Sequence, residues 1–359
     1  MASKSNLSDA RKSTRWQSLR STMRAPHAFE MDPRGDLTLE VGSNTNADAN
    51  DEEFEEDEGN NEDGTRQLFR VCSKSLARSS VVFCKMLFGH FSETDQGLVS
   101  LPDDHIEPMF LALLIIHGRF AKVPSFLTIE ELFELVIITN KYDMTNIVRP
   151  WINNWVPRLK GIELCPDKDL LAWIAWEVGA DRVFEKMALD IAYECRVNKD
   201  GDILDTDGKL MKTNIYLDAA GILDTIARAR NKAISGMFYP LRLGVKKILE
   251  GNGCSSIEDK VRCDSTVLGS IIIACKAANV DPAPLLAGNT PPYLGSVREL
   301  TAEIKRMEFT NVDSHLCNTI LAAKVSADII FTRTTSLVSL NELDHLEKRA
   351  KISGWTRLN

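Results

Sequence analysis

Eight cysteines and six histidines carry most of the chemical potential of this chain. The best metal-ligating combination is Cys254, Cys263, His315 and Cys317, since three thiolates and one imidazole make a tetrahedral Cys3His zinc set. His315 and Cys317, at i and i+2, can chelate from one side of an extended turn. Yet Cys-x8-Cys and His-x-Cys match no finger spacing, and no CxxC pair exists anywhere. Unrelated thiols are therefore the stronger expectation, and a structural zinc is the only cofactor considered. Catalytic signatures are missing as well: the sequence contains no G-x-S-x-G, no GxxxxGK[ST] and no HExxH. Gly251-Asn252-Gly253 is no phosphate cradle, because no strand leads into it and no Lys-Ser/Thr follows; it reads as the end of a helix. The adjacent acids Asp103 and Asp104 read as a helix cap. The sequence thus predicts a non-enzyme, with a zinc-dependent protein or enzyme using the C-terminal region as the alternative from another class.

Charge narrows the classes further. The 359 residues hold 51 acids and 43 bases, for a net charge of −8. One segment, Asp48 to Asp63, contributes ten acids and no base, and the remainder is close to neutral. Such a profile excludes a salt-adapted surface and a strongly basic nucleic-acid binder. The segment is expected to stay disordered, because like charges repel and Phe54 is its only large apolar residue. No run of 18 apolar residues predicts a membrane span, and the N-terminus lacks the apolar stretch of a secretory signal. Residues 1–35 are rich in Ser and Arg and read as a disordered basic arm. Trp16, Leu19 and Met23 make a mitochondrial presequence a minor alternative to a cytoplasmic or nuclear location. Without a secretion signal, the cysteines are expected to be reduced.

Several elements must position whatever site exists. Asp36–Gly42 alternates Leu37, Leu39 and Val41 with Thr38 and Glu40, which predicts a half-buried strand. A second strand begins at Leu68-Phe69, a helical stretch follows over 74–91, and Gly97–Pro102 reads as a third strand. Helices are expected from about 104 to 117, from Thr128 (an N-cap followed by Glu130 and Glu131) to Tyr142, and over 145–156. Beyond Gly161 the pattern is helical, apart from a polar loop or hairpin over 198–212. Pro240 is expected to kink or divide the long helix over 217–249.

Residues 36–156 resemble the BTB/POZ domain, in the form found in filamentous fungi. The resemblance rests on Phe69–Leu87 (FRVCSKSLARSSVVFCKML), Leu101–Asp104 (LPDD), Met109–Pro124 and Glu131–Val156. Within these, Phe69, Val71, Ser73 and Lys74 match F-x-V-x-S-K. Met86-Leu87 match the close of the helical pair, Lys141-Tyr142-Asp143 match K-Y-D, and Arg149-Pro150-Trp151 match R-P-W. Two departures stand out: the acidic insert is far longer than a hairpin turn, and Ser73-Lys74 stand where animal relatives carry a His. Segments 263–280 and 293–309 are similar to the helical region that follows this domain in fungal relatives. The resemblance implies an α+β fold, a small sheet capped by helices with an acidic loop over 44–66, and then a mainly α-helical region over 157–359. It implies a protein–protein adaptor or scaffold that self-associates, with a substrate adaptor of a cullin-type ubiquitin ligase as the alternative. The φ-x-E element of ligase-recruiting relatives is missing after Phe120, where the chain reads AKVPSF. The expected interaction surface is the strand Leu37, Leu39, Val41 together with a face formed by Leu76, Val81, Val82 and Lys85. Protein partners, a second copy among them, are expected; membrane and nucleic acid are not.

Overall fold

A computed structural model describes residues 28–42, 66–89, 97–157, 159, 162, 165–256, 258–308, 310 and 338–356. The chain forms two compact units that interleave in sequence. The first comprises residues 1–164, 174–180 and 344–359, and the second comprises 165–173 and 181–343. Three pieces of the segment expected to be one C-terminal region from 157 onward, 157–164, 174–180 and 344–359, thus belong to the first unit.

The first unit is α+β. Strands β1 (Phe29–Glu30), β2 (Leu37–Val41), β3 (Gln67–Val71) and β4 (Leu98–Leu101) make a sheet in the order β1-β3-β2-β4. β2 runs antiparallel to β3, with Leu39 opposite Phe69, and parallel to β4. β1 runs parallel to β3. The alternation that predicts β2 has its physical cause in burial, since Leu37, Leu39 and Val41 all point into the core. β1 corrects the reading of 1–35 as wholly disordered. Phe29 packs edge-on against Phe110, and Arg119 Nε donates to the Met31 carbonyl at 3.0 Å. These two contacts fix a segment whose composition carries no strand signal.

Helices α1 (Ser73–Ser79) and α2 (Val81–Phe88) form a pair broken at Ser80. The Ser80 hydroxyl accepts from the Phe83 N–H at 2.9 Å and so caps α2. Helix α3 (Ile106–Ile116) is buried along almost its whole length, from Glu107 to Ile115. Its N-cap is His105, without a side-chain bond, so Asp103 and Asp104 do not cap it. Helix α4 (Ile129–Lys141) starts at the expected Thr128, which forms a full capping box with Glu131. The helix expected over 145–156 is instead a 3-10 turn (Thr145–Val148) and a short α5 (Ile152–Trp155). Pro150 lies between them and cannot continue the hydrogen-bond ladder.

The second unit is mainly helical: α7 (Asp181–Glu194), α8 (Ile215–Ala219), α9 (Ile222–Leu249), α10 (Lys260–Ala277), α11 (Ala283–Leu286) and α12 (Val297–Arg306). A hairpin of β5 (Arg196–Val197) and β6 (Ile203–Leu204) begins just before the expected polar stretch over 198–212 and places only β6 inside it. α9 is continuous through Pro240, so the chain is not divided there, and the helix expected over 217–249 is instead broken at Gly221 (φ +70°); burial of Met237, Phe238, Leu241 and Val245 offsets the hydrogen bond that Pro240 removes. Gly251, at φ +74°, ends the helix in the left-handed conformation expected of a C-cap. Two helices divide their residues between the units, α6 (Lys168–Val178) and α13 (Leu340–Ser353).

Candidate interaction surface

Many of the residues that stand out in the sequence of the first unit lock segments far apart in the chain. Asp36, just before β2, accepts from the Ser73 N–H at 2.8 Å and from the Ser73 hydroxyl at 2.7 Å, tying the sheet to the start of α1. Those two bonds hold its carboxyl below the ordinary aspartate range. Asp104 receives Lys141 Nζ at 2.6 Å on one oxygen and the Tyr142 hydroxyl on the other. The LPDD and KYD segments therefore meet at one buried carboxylate. Burial, and then the carboxylate itself, push the Tyr142 phenol well above its usual range. The Tyr142 ring stacks on Phe83 with centroids 4.4 Å apart, and its carbonyl accepts from the Ser80 hydroxyl. Asp143 follows at φ +47°, a left-handed position that an aspartate tolerates.

His117 does similar work at the other end of α3. Its Nδ1 faces the Leu113 carbonyl at 2.9 Å and its Nε2 accepts from the Cys72 N–H at 3.1 Å. Burial holds this imidazole below the ordinary histidine range, which keeps the neutral form that can accept. Trp151 stacks on Trp155 at 5.7 Å, and Trp155 Nε1 donates to the Pro124 carbonyl at 3.0 Å.

With the motif residues used internally, the expected interaction surface divides. Leu37, Leu39, Val41 and Leu76 are fully buried and present nothing outward. β2 is moreover paired on both sides, by β3 and β4, so it offers no free edge. All four are core: on β2 the same alternation that marks a strand marks the face it buries, and Leu76 is the buried apolar residue of α1. Helix α2 behaves otherwise. Val81 is 53% exposed and Phe88 is 56% exposed, Lys85 is exposed between them, and Val82 and Met86 are half-buried. Val81, Lys85 and Phe88 fall at i, i+4 and i+7 and share one side of the helix, opposite the buried Phe83 and Leu87. Phe88 is missing from the face expected from sequence, although its spacing from Val81 is the available signal.

No protein-family model matches the chain, and no curated protein matches it.

The metal-ligating combination spreads over described and undescribed parts of the chain. Cys254 and Cys263 are buried in the second unit. The Cys254 N–H donates to Asp264 at 2.8 Å, and its sulfur accepts from the Ser256 N–H at 3.3 Å. His315 and Cys317 lie outside the described residues. Among the described residues no group of three or more His, Cys, Asp or Glu side chains is gathered as a metal set. Of the other thiols, burial pushes Cys195 and Cys275 each up to about 11, where the thiolate is scarce at neutral pH. Among the described residues, no helix is long and apolar enough to cross a membrane.

Proposed function

We propose that the first unit is a protein–protein interaction module of the BTB/POZ type, and that the chain is a non-catalytic adaptor or scaffold that associates with a second copy of itself through α2. The observation that carries this reading is the outward stripe of Val81 and Phe88 around Lys85. A short helix that buries Phe83 and Leu87 on one side leaves two large apolar side chains in water on the other, and such paired exposure marks a contact surface. Further support comes from the order of elements: strand, long insert, strand, helix pair, strand, buried helix and capped helix. The Asp104–Lys141–Tyr142 lock adds to it, because it gives the LPDD and KYD segments of the resemblance a shared structural purpose. The test is self-association of the full chain by light scattering over a range of concentrations, for the native protein and for V81D/F88D. Concentration-dependent association in the native chain that is lost in the variant, with unfolding unchanged, is the expected outcome.

A further inference from the structure

The last helix of the chain is seated on the first unit by a set of contacts that differs in kind from the rest of the core. Only Leu346 and Ser353 of α13 are fully buried, so little apolar area holds this helix. Polar contacts from several segments accompany that small apolar contact. Arg349 Nε donates to the Glu177 carbonyl at 2.6 Å, and its Nη2 reaches the Glu177 carboxylate at 2.9 Å and the Thr145 hydroxyl at 3.1 Å. Arg149 Nη1 donates to the Lys351 and Ile352 carbonyls, at 2.5 and 3.2 Å, where the helix end leaves acceptors free. Ser353 donates to the Val178 carbonyl at 2.6 Å, and Asn153 to the Gly354 carbonyl at 3.0 Å. The approach is close: a Cβ on Gly179, which sits at φ +78°, would fall on the backbone of Leu346 and Ala350.

His345 lies in the middle of this seat. Its ring stacks on Trp176 with centroids 4.1 Å apart and planes at 17°. Among the described residues its buried Nε2 has no hydrogen-bond partner. A neutral imidazole tolerates that position, but a proton placed on Nε2 would be a buried donor without an acceptor, carrying charge. The polar surroundings are mixed, with the cations the stronger influence. On its own helix Arg349 and Lys348 oppose protonation and Asp344 favours it; from α6, Trp176 supplies its ring and a backbone hydrogen bond. The neighbouring Glu177 carboxylate is engaged by Arg349 and Asn140.

We propose that α13 is a proton-released strap: protonation of His345 loosens residues 344–356 from the first unit and uncovers Trp176 and the seat around Gly179. Elements held by few apolar contacts open at low cost, which is the requirement for such a switch. The sign follows from linkage. Burial and the flanking cations hold seated His345 below its ordinary value of 6.5, so the free helix binds the proton more readily, and seating weakens as pH falls through about 6.5. Glu177 has the opposite linkage: burial raises its carboxyl, so acid does not release the strap through it.

Hydrogen exchange of the full chain between pH 7.5 and 5.5, corrected for intrinsic exchange chemistry, tests this directly. Opening of amides 344–353 is expected to rise severalfold, with a ceiling of about tenfold per pH unit for a one-proton linkage. The β2 amides 37–41 are expected to stay protected throughout. His345→Phe keeps a ring against Trp176 without titrating and is expected to abolish the rise, with His345→Gln as a second non-titrating variant. A flat native profile, an equal rise in both variants, or loss of protection in β2 along with α13 would overturn the proposal.

Discussion

Asp104, Asp36 and Glu177 in the first unit are each met by side chains from distant segments: Lys141 and Tyr142, Ser73, and Arg349 with Asn140. In the second unit the buried Asp190 is met by Lys186 one turn earlier on the same helix. Among the described residues the buried Arg230 has no carboxylate partner; its Nη2 donates to the Tyr293 and Gly295 carbonyls at 2.7 and 2.6 Å, and its Nε is unpartnered. Burial accordingly pulls this guanidinium below its usual range. The first unit thus joins distant segments on carboxylates, whereas the second joins them through the buried Arg230 on backbone carbonyls and through the more exposed pairs Arg196–Glu299 and Arg298–Glu194. Large apolar side chains are exposed in both units: Val81 and Phe88 share one short helix in the first, where Phe120 and Phe126 are exposed as well, while in the second Ile215, Tyr239, Val261 and Ile273 lie on three helices, α8, α9 and α10.

Substitutions can break that contrast. The largest effect is expected from Phe83→Ala, which removes the ring stacked on Tyr142 and should cost about 3–5 kcal/mol of the first unit's stability, read by urea unfolding with hydrogen exchange to separate the units. Asp104→Ala leaves the buried Tyr142 hydroxyl without its acceptor and is expected to cost about 1–3 kcal/mol in the same assay. Arg230→Met is the matching test in the second unit. Removing a buried charge that lacks a counter-charge is expected to leave stability within about 1 kcal/mol of the native protein. A large loss there would erase the distinction between the units.

Acid gives the smallest effect. Asp36 is held below its ordinary 3.8, so its tie to Ser73 stabilises the fold above that value and is lost as pH falls through the lower, folded value. Asp36→Asn is expected to flatten the acid limb of the stability profile slightly, measured by thermal unfolding between pH 5 and 2.

Much of the first unit was legible in sequence because its elements carry local signals. The alternation of Leu37, Leu39 and Val41 marks β2, and Thr128 with Glu131 marks the start of α4. What was not legible is tertiary. β1 is two residues long and depends on Phe110 and Arg119, which lie some ninety residues away. Asp104 resembles a cap because Asp-Asp before a helix is a local pattern, and its real partners come from the far end of α4. The interaction surface suffered from the same ambiguity: an apolar residue on a strand reads alike whether it faces the core or a partner, and burial settles it only once β2 lies between β3 and β4. The seat of α13 had no signal in its own polar sequence, since Gly179, Arg149 and Thr145 define it.

The central claim is that the outward face of α2 joins copies of the chain. Light scattering on the purified full chain measures this most directly. The account expects a mass above the 40.1 kDa monomer that rises with concentration, and a monomer for V81D/F88D with unchanged unfolding. A native chain that stays at the monomer mass at every concentration, or an associated state that V81D/F88D leaves intact, would contradict it.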